Sequence, residues 1–176
     1  MATFTSTTDG NINDGGTYGN TSPGTAGVDF PGTNDICVVG GSTTVTLNTN
    51  FECRALKITG TLAGGNNTIT LNGATSNKPF DHDGTITGDL NVTITNTGMQ
   101  QNGLLIDGSG VAGNINNLTI NLTSATASNN TIEFSPSLVL DNTLTITAGV
   151  FQPYASTFSL TVGGHIFGNG TFNAND

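Results

Sequence analysis

The chain has 176 residues, of which only 9% are charged, with three Lys or Arg against twelve Asp or Glu and a net charge of −9. That balance excludes nucleic acid and anionic membrane surfaces as partners, since both are gripped chiefly through Lys and Arg. Thr (32), Gly (25) and Asn (23) fill 80 positions, and no window places apolar residues at helical spacing, so the chain reads as all-β.

The length suits one domain with its own core. Met1-Ala-Thr-Phe-Thr has neither the basic start nor the apolar run of a secretory signal, and no stretch approaches the ~20 apolar residues of a membrane span. The expectation is a soluble chain not exported by the usual signal. Cys37 and Cys53 lie 16 residues apart, about one strand–turn–strand unit. They either stack and bridge or remain buried thiols, and with His82 and His165 they make no zinc spacing.

Residues 1–35 are expected to form an irregular N-terminal cap. Asp9-Gly-Asn-Ile-Asn-Asp-Gly-Gly, Thr21-Ser-Pro-Gly-Thr and Phe30-Pro-Gly are dense in turn formers. Phe4, Ile12, Tyr18, Val28 and Phe30 share no period, and their expected task is to cover the open end of the regular body.

Residues 36–176 are expected to be that regular body. Short strands are predicted over 36–39, 44–47 and 56–58, with a fragment at Thr61-Leu62. Then one phrase recurs: Asn-Asn-Thr-Ile-Thr-Leu (66–71), Asn-Val-Thr-Ile-Thr (91–95), Asn-Asn-Leu-Thr-Ile-Asn-Leu (116–122), Asn-Asn-Thr-Ile-Glu-Phe (129–134), Asp-Asn-Thr-Leu-Thr-Ile (141–146) and Thr-Phe-Ser-Leu-Thr-Val (157–162). Each joins a polar turn to apolar/polar alternation, the pattern of a half-buried strand. Weaker strands fill the two long gaps at 86–90 and at 104–106 with Ile115.

A unit of roughly a dozen residues, or two dozen per turn, is what a β-solenoid gives. The alternative is a β-sandwich or jelly roll, whose strands are spaced similarly. Recurrence of the same turn phrase in the same phase favours the solenoid, a single-domain right-handed parallel β-helix. Three stretches are expected to leave the regular body: 74–84 with Pro79 and Asp81-His82-Asp83-Gly84, 97–102 with Met99, and 152–156. Loops on a rigid scaffold are where function concentrates.

Residues 9–62 carry Asp-Gly-Asn-x-Asn-Asp-x-x-Thr-aromatic-Gly (9–19), Pro-Gly with Asp-x-x-Val (31–38), Thr-Val-Thr-Leu (44–47) and Cys-x-x-Leu-x-Ile-x-Gly-Thr-Leu (53–62). With Gly-x-Ile-Phe-Gly-Asn-Gly-Thr-Phe-Asn (164–173), this resembles a family of parallel β-helix proteins found in tailed-bacteriophage virions and on bacterial surfaces. The similarity covers about a third of the chain, and Ile12 and Tyr18 stand where relatives usually carry Trp.

The resemblance implies a non-enzymatic structural protein, either a capsid decoration or cement protein or a fibre-type component. It would dock on other capsid or tail subunits in a virion assembled in the host cytoplasm. The alternative it implies is a glycan-binding adhesin module at a bacterial cell surface. Apart from the resemblance, a homo-oligomer such as a trimer is expected.

Candidate sites are few. Asp81, Asp83 and Asp89 could gather oxygen ligands for a hard cation such as Ca²⁺, or simply form a solvated turn. The same carboxylates with Lys78 or His82 are the nearest approach to a polysaccharide-cleaving site. Arg54, Lys57 and Lys78 are the only cations, and the motifs familiar from pectinases are absent, so no catalytic residue and no cofactor is expected. Asp107-Gly-Ser-Gly reads as a glycine-rich corner, lacking the Lys and helix of a phosphate loop. Phe151, Tyr154 and Phe158, around Pro153, are interface candidates if exposed and core residues if not.

Overall fold

Alternation of apolar and polar residues turns one side of a strand inward, and a chain with such segments at regular intervals can bury them by coiling around a common axis. A computed structural model describes residues 1–73, 78–96, 104–108, 115–124 and 130–174. The first coil holds β1 (Thr3–Thr5) and β2 (Gly10–Asn11). Next come β3 (Ile36–Val39), β4 (Thr44–Thr46) and β5 (Phe51–Cys53), then β6 (Ala55–Ile58), β7 (Thr61–Ala63) and β8 (Thr68–Leu71). The fourth coil is β9 (Phe80–His82), β10 (Thr85–Thr87) and β11 (Leu90–Asn96), and the fifth holds β12 (Leu104–Asp107) and β13 (Ile115–Leu122). The sixth is β14 (Thr131–Ser135), β15 (Leu138–Leu140) and β16 (Thr143–Ala148). The last full coil is β17 (Val150–Pro153), β18 (Leu160–Val162) and β19 (Ile166–Phe167), after which β20 (Thr171–Phe172) begins another.

Every pairing among these strands is parallel and joins one coil to the next. The first face is an eight-stranded sheet from β1 through β3, β6, β9, β12, β14 and β17 to β20. The second consists of β2, β4, β7 and β10, and in later coils of the pair β15–β18; the third runs β5, β8, β11, β13, β16, β19. The protein is therefore an all-β parallel β-helix, and no antiparallel layer of a sandwich is present among the described residues.

The coils whose strands are all described have three sides, so the dozen-residue spacing in the sequence links different faces. Val45, Leu56 and Ile69 lie on the second, first and third faces respectively. Within the third face the partners Ile69 and Val92 are 23 residues apart, and Val92 to Leu118 and Leu118 to Leu144 are 26 each. The recurring Asn/Thr phrase is mainly that face, as β8, β11, β13 and β16. The copies at 129–134 and 157–162 fall on the first and second faces.

Inside, like residues pile up in register. Leu71, Ile94, Ile120 and Ile146 form one column, and Phe4, Cys37, Leu56, Phe80, Ile106 and Phe134 another. All are buried. Each buried Leu, Ile or Phe contributes ~1.5–3 kcal/mol, while the ladders between coils satisfy the backbone. The corner between the first two faces is a column of glycines. A Cβ on Gly60 would run into the carbonyl oxygen of Gly40, and one on Gly84 into that of Gly60.

The N-terminal 35 residues are not irregular throughout, because β1 and β2 extend the first and second faces. A 3₁₀ turn, Gly15–Tyr18, is capped by Asp14, which accepts from the Gly16 N–H at 2.8 Å, and ends at Gly19 with φ 75°. It brings Tyr18 edge-on to Phe4 at 6.1 Å, with the Tyr18 hydroxyl donating to the Ile12 carbonyl at 3.1 Å. Phe30 packs on the core, whereas Val28 is exposed and covers nothing.

Two expected excursions are corrected by strands. Phe80–His82 is a central strand of the first face despite Pro79 and its acidic neighbours, because the polar Asp81 points outward between the inward Phe80 and His82. Gln152 and Pro153 likewise end β17. The expected excursion at 97–102 lies outside the described residues.

Candidate functional site

The acidic residues that stood out in the sequence lie on the outer side of the first face. Asp81 is in register with Lys57 below and Asp107 above. The Lys57 ammonium lies 2.7 Å from Asp81 Oδ2 and 3.6 Å from Asp83 Oδ2, and Lys78, from the adjoining corner, pairs with Asp107. The hydrogen bond to Asp81 raises the Lys57 pKa, and that to Asp107 raises the Lys78 pKa. Both lysines are well exposed, so each pair contributes no more than about 1 kcal/mol.

Asp89 does not join this cluster. It sits exposed at the corner between β10 and β11, where its carbonyl accepts the Asn66 N–H at 2.8 Å. Among the described residues no three His, Cys, Asp or Glu side chains stand close enough to share a cation. Of the three candidates, Asp81 and Asp83 share the Lys57 ammonium and Asp89 stands apart from them.

His82 is separated from its acidic neighbours by strand alternation. It continues the interior column of Val39 and Ile58 and stacks on Phe80 at 6.0 Å. Burial lowers its pKa against the opposing pull of Asp83 and Asp81, and its Nε2 is buried without a hydrogen-bond partner. It borders a cleft of about 150 Å³ that also touches Ile106, Phe134, Ser135 and Leu138.

The two cysteines are free and buried on different faces. Burial pushes the Cys37 thiol up to about 11, partly offset by its hydrogen bond with Tyr18, and raises Cys53 too. Tyr18 itself is raised, chiefly by burial. Such thiols are packing groups rather than nucleophiles.

The third face is chemically distinct. Of its strand residues only Glu52 is an Asp, Glu, Lys or Arg. Thr70, Thr93, Thr119 and Thr145 stand outward in one register column. Thr68, Asn91, Asn117 and Thr143 form the next, with the Asn117 amide donating to Asn91 Oδ1 at 2.7 Å. Neighbouring members of a column are ~4.8 Å apart, so from β8 to β16 this side is an uncharged grid of hydroxyls and amides, with Glu52 in register below Thr70.

The three candidate interface aromatics separate. Phe151 is completely buried between Phe134 and Phe172, at 5.0 and 6.1 Å, and so cannot belong to a surface patch. Phe158 is half-buried against the core, and Tyr154 is 63% exposed. The apolar groups that do reach the surface here, Ile166, Phe167 and Phe172, were overlooked in sequence. Their signal was the Ile-Phe and Thr-Phe pairs at 166–167 and 171–172, which repeat the inward/outward pattern.

These elements define a class: a three-sided parallel β-helix with one charged side and one neutral Thr/Asn side. Comparison with protein-family models, curated proteins and solved structures gives no match for the chain.

Proposed function

We propose that this is a non-enzymatic structural protein of a virion, a decoration, cement or fibre-type component that docks on other structural subunits through its third face. The single observation that supports this is the neutral Thr/Asn grid of β8, β11, β13 and β16 on a chain of net charge −9. A subunit seated there meets no repelling charge and finds donors and acceptors at fixed spacing on a stiff scaffold. Stacked interior columns with satisfied ladders supply that stiffness. The family resemblance in residues 9–62 and 164–173 directs the choice toward virions.

Immunogold electron microscopy of particles and cells from a culture that makes the protein tests this. Gold at regular positions on virus particles is the expected result; gold confined to the cell envelope would overturn it. That second outcome would favour a glycan-binding adhesin, a reading supported by the free-standing hydroxyl row Thr70–Thr93–Thr119–Thr145. A glycan array would then identify its ligand.

A further inference from the structure

Three interior positions of the first face, Val39, Ile58 and His82, stack in register, one from each of the second, third and fourth coils. In the fifth coil Ile106 and Asp107 pair with Phe80 and Asp81, so the next residue, Gly108, falls on His82. A Cβ there would lie 2.8 Å from the His82 carbonyl oxygen and 3.3 Å from its Cβ. Strand alternation thus supplies an inward position at Gly108 with no side chain to fill it. Beside it opens the cleft of about 150 Å³, walled by Phe80, His82, Ile106, Ile115, Phe134 and Leu138.

This void is not purely apolar. His82 is 8% exposed, and its Nε2 is buried with no hydrogen-bond partner. The other ring nitrogen bonds to the Gly84 backbone, and because that contact favours the protonated ring it is donated to the carbonyl. The neutral ring therefore carries its proton on Nδ1 and its lone pair on Nε2. An acceptor left unmet in such surroundings is a standing cost that a donor from outside relieves.

Size and charge narrow the occupant. A water takes up roughly 30 Å³, so one water at Nε2 would leave most of the void facing carbon. A cavity of this volume holds a single ring of the size of benzene. Asp107, the carboxylate at the wall, is already paired with Lys78, so the lining calls for no ligand charge.

We propose that this void is a binding site for a small neutral aromatic alcohol of the phenol class. The ring lies against Ile106, Phe134 and Leu138, and its hydroxyl donates to Nε2 of His82. A phenolic O–H has a pKa of ~10, so it stays uncharged at neutral pH while donating well. The site does not depend on the virion assignment, since neither the third face nor a partner subunit enters it.

Titration of the full chain with phenol, and with toluene as a ligand of nearly the same size and no donor, tests this at about pH 7.5, where the imidazole is neutral. Both should saturate at millimolar concentration, as so few atoms allow, and shift the amide resonances of residues 80–82 and 106–108. The nitrogen-15 resonance of His82 Nε2 should move with phenol and stay in place with toluene. His82→Leu removes the acceptor and keeps the bulk; phenol should then bind about five- to tenfold more weakly, and toluene no more weakly than before. Should that variant fail to fold, the contrast at the Nε2 resonance carries the test on the native chain. An Nε2 resonance indifferent to phenol, as ordered water alone in the void would give, would overturn the proposal. So would amide shifts confined to other parts of the molecule, or equal losses of phenol and toluene in His82→Leu.

Discussion

Ile120 is the sharpest probe of the stack. It is fully buried in β13, in register between Ile94 of the coil below and Ile146 of the coil above. Ile120→Ala removes three carbons, worth about 2.4 kcal/mol at ~0.8 each. It also leaves a cavity that two rigid neighbours cannot close, which brings the expected cost to roughly 3–4 kcal/mol. Thr119, the adjacent residue, faces out on the uncharged grid, and Thr119→Ala should cost no more than about 0.5 kcal/mol. Urea unfolding followed by circular dichroism reads both. With a slope of about 2 kcal/mol/M, Ile120→Ala should lower the midpoint by roughly 1.5–2 M and Thr119→Ala by less than about 0.3 M. Equal shifts for the two variants would refute the inward/outward assignment of the third face.

Three further outcomes are expected from the packing. Gly60→Ala puts a methyl against the Gly40 carbonyl with no flexible side chain to yield, and should destabilise by roughly 1–3 kcal/mol in the same unfolding assay. Burial holds the His82 pKa below its unfolded value of ~6.5, so the unfolded chain takes up the proton first. Its contribution is then complete above ~6.5 and is lost as pH falls through the folded pKa; His82→Leu should flatten the stability–pH curve between pH 7 and 5, and an unchanged curve would count against the buried placement. Cys37 and Cys53 should resist a thiol reagent in the native state and react at once in denaturant, and prompt native labelling would contradict their burial.

Much of the third face was legible in sequence because β11, β13 and β16 are six to eight residues long, enough for period-2 alternation to show. The second face was legible only as short or weak strands at 44–47, 61–62 and 86–90, since a strand such as Thr85–Thr87 holds a single inward residue, Ile86, and one residue defines no period. That is why a unit of roughly a dozen residues stood out where a full turn carries three strands. Phe80–His82 was hidden by composition: Pro79 and Asp83 flank it and Asp81 interrupts it, yet all its polarity apart from His82 faces outward. The acidic cluster was visible as a sequence run, but not its closure by Lys57 and Lys78, which come from 24 and 29 residues away from their partners. Phe151 was ambiguous for a different reason. Whether an aromatic near a chain end is core or surface depends on what stacks above it, and Phe172 does.

The measurement that bears most directly on the coil is the pattern of nuclear Overhauser effects between strands. A parallel coil requires contacts linking β8 to β11, β11 to β13 and β13 to β16 in the register Ile69–Val92–Leu118–Leu144, with no short Hα–Hα contacts between those strands. Strong Hα–Hα contacts between any two of them, the mark of antiparallel pairs, would contradict it.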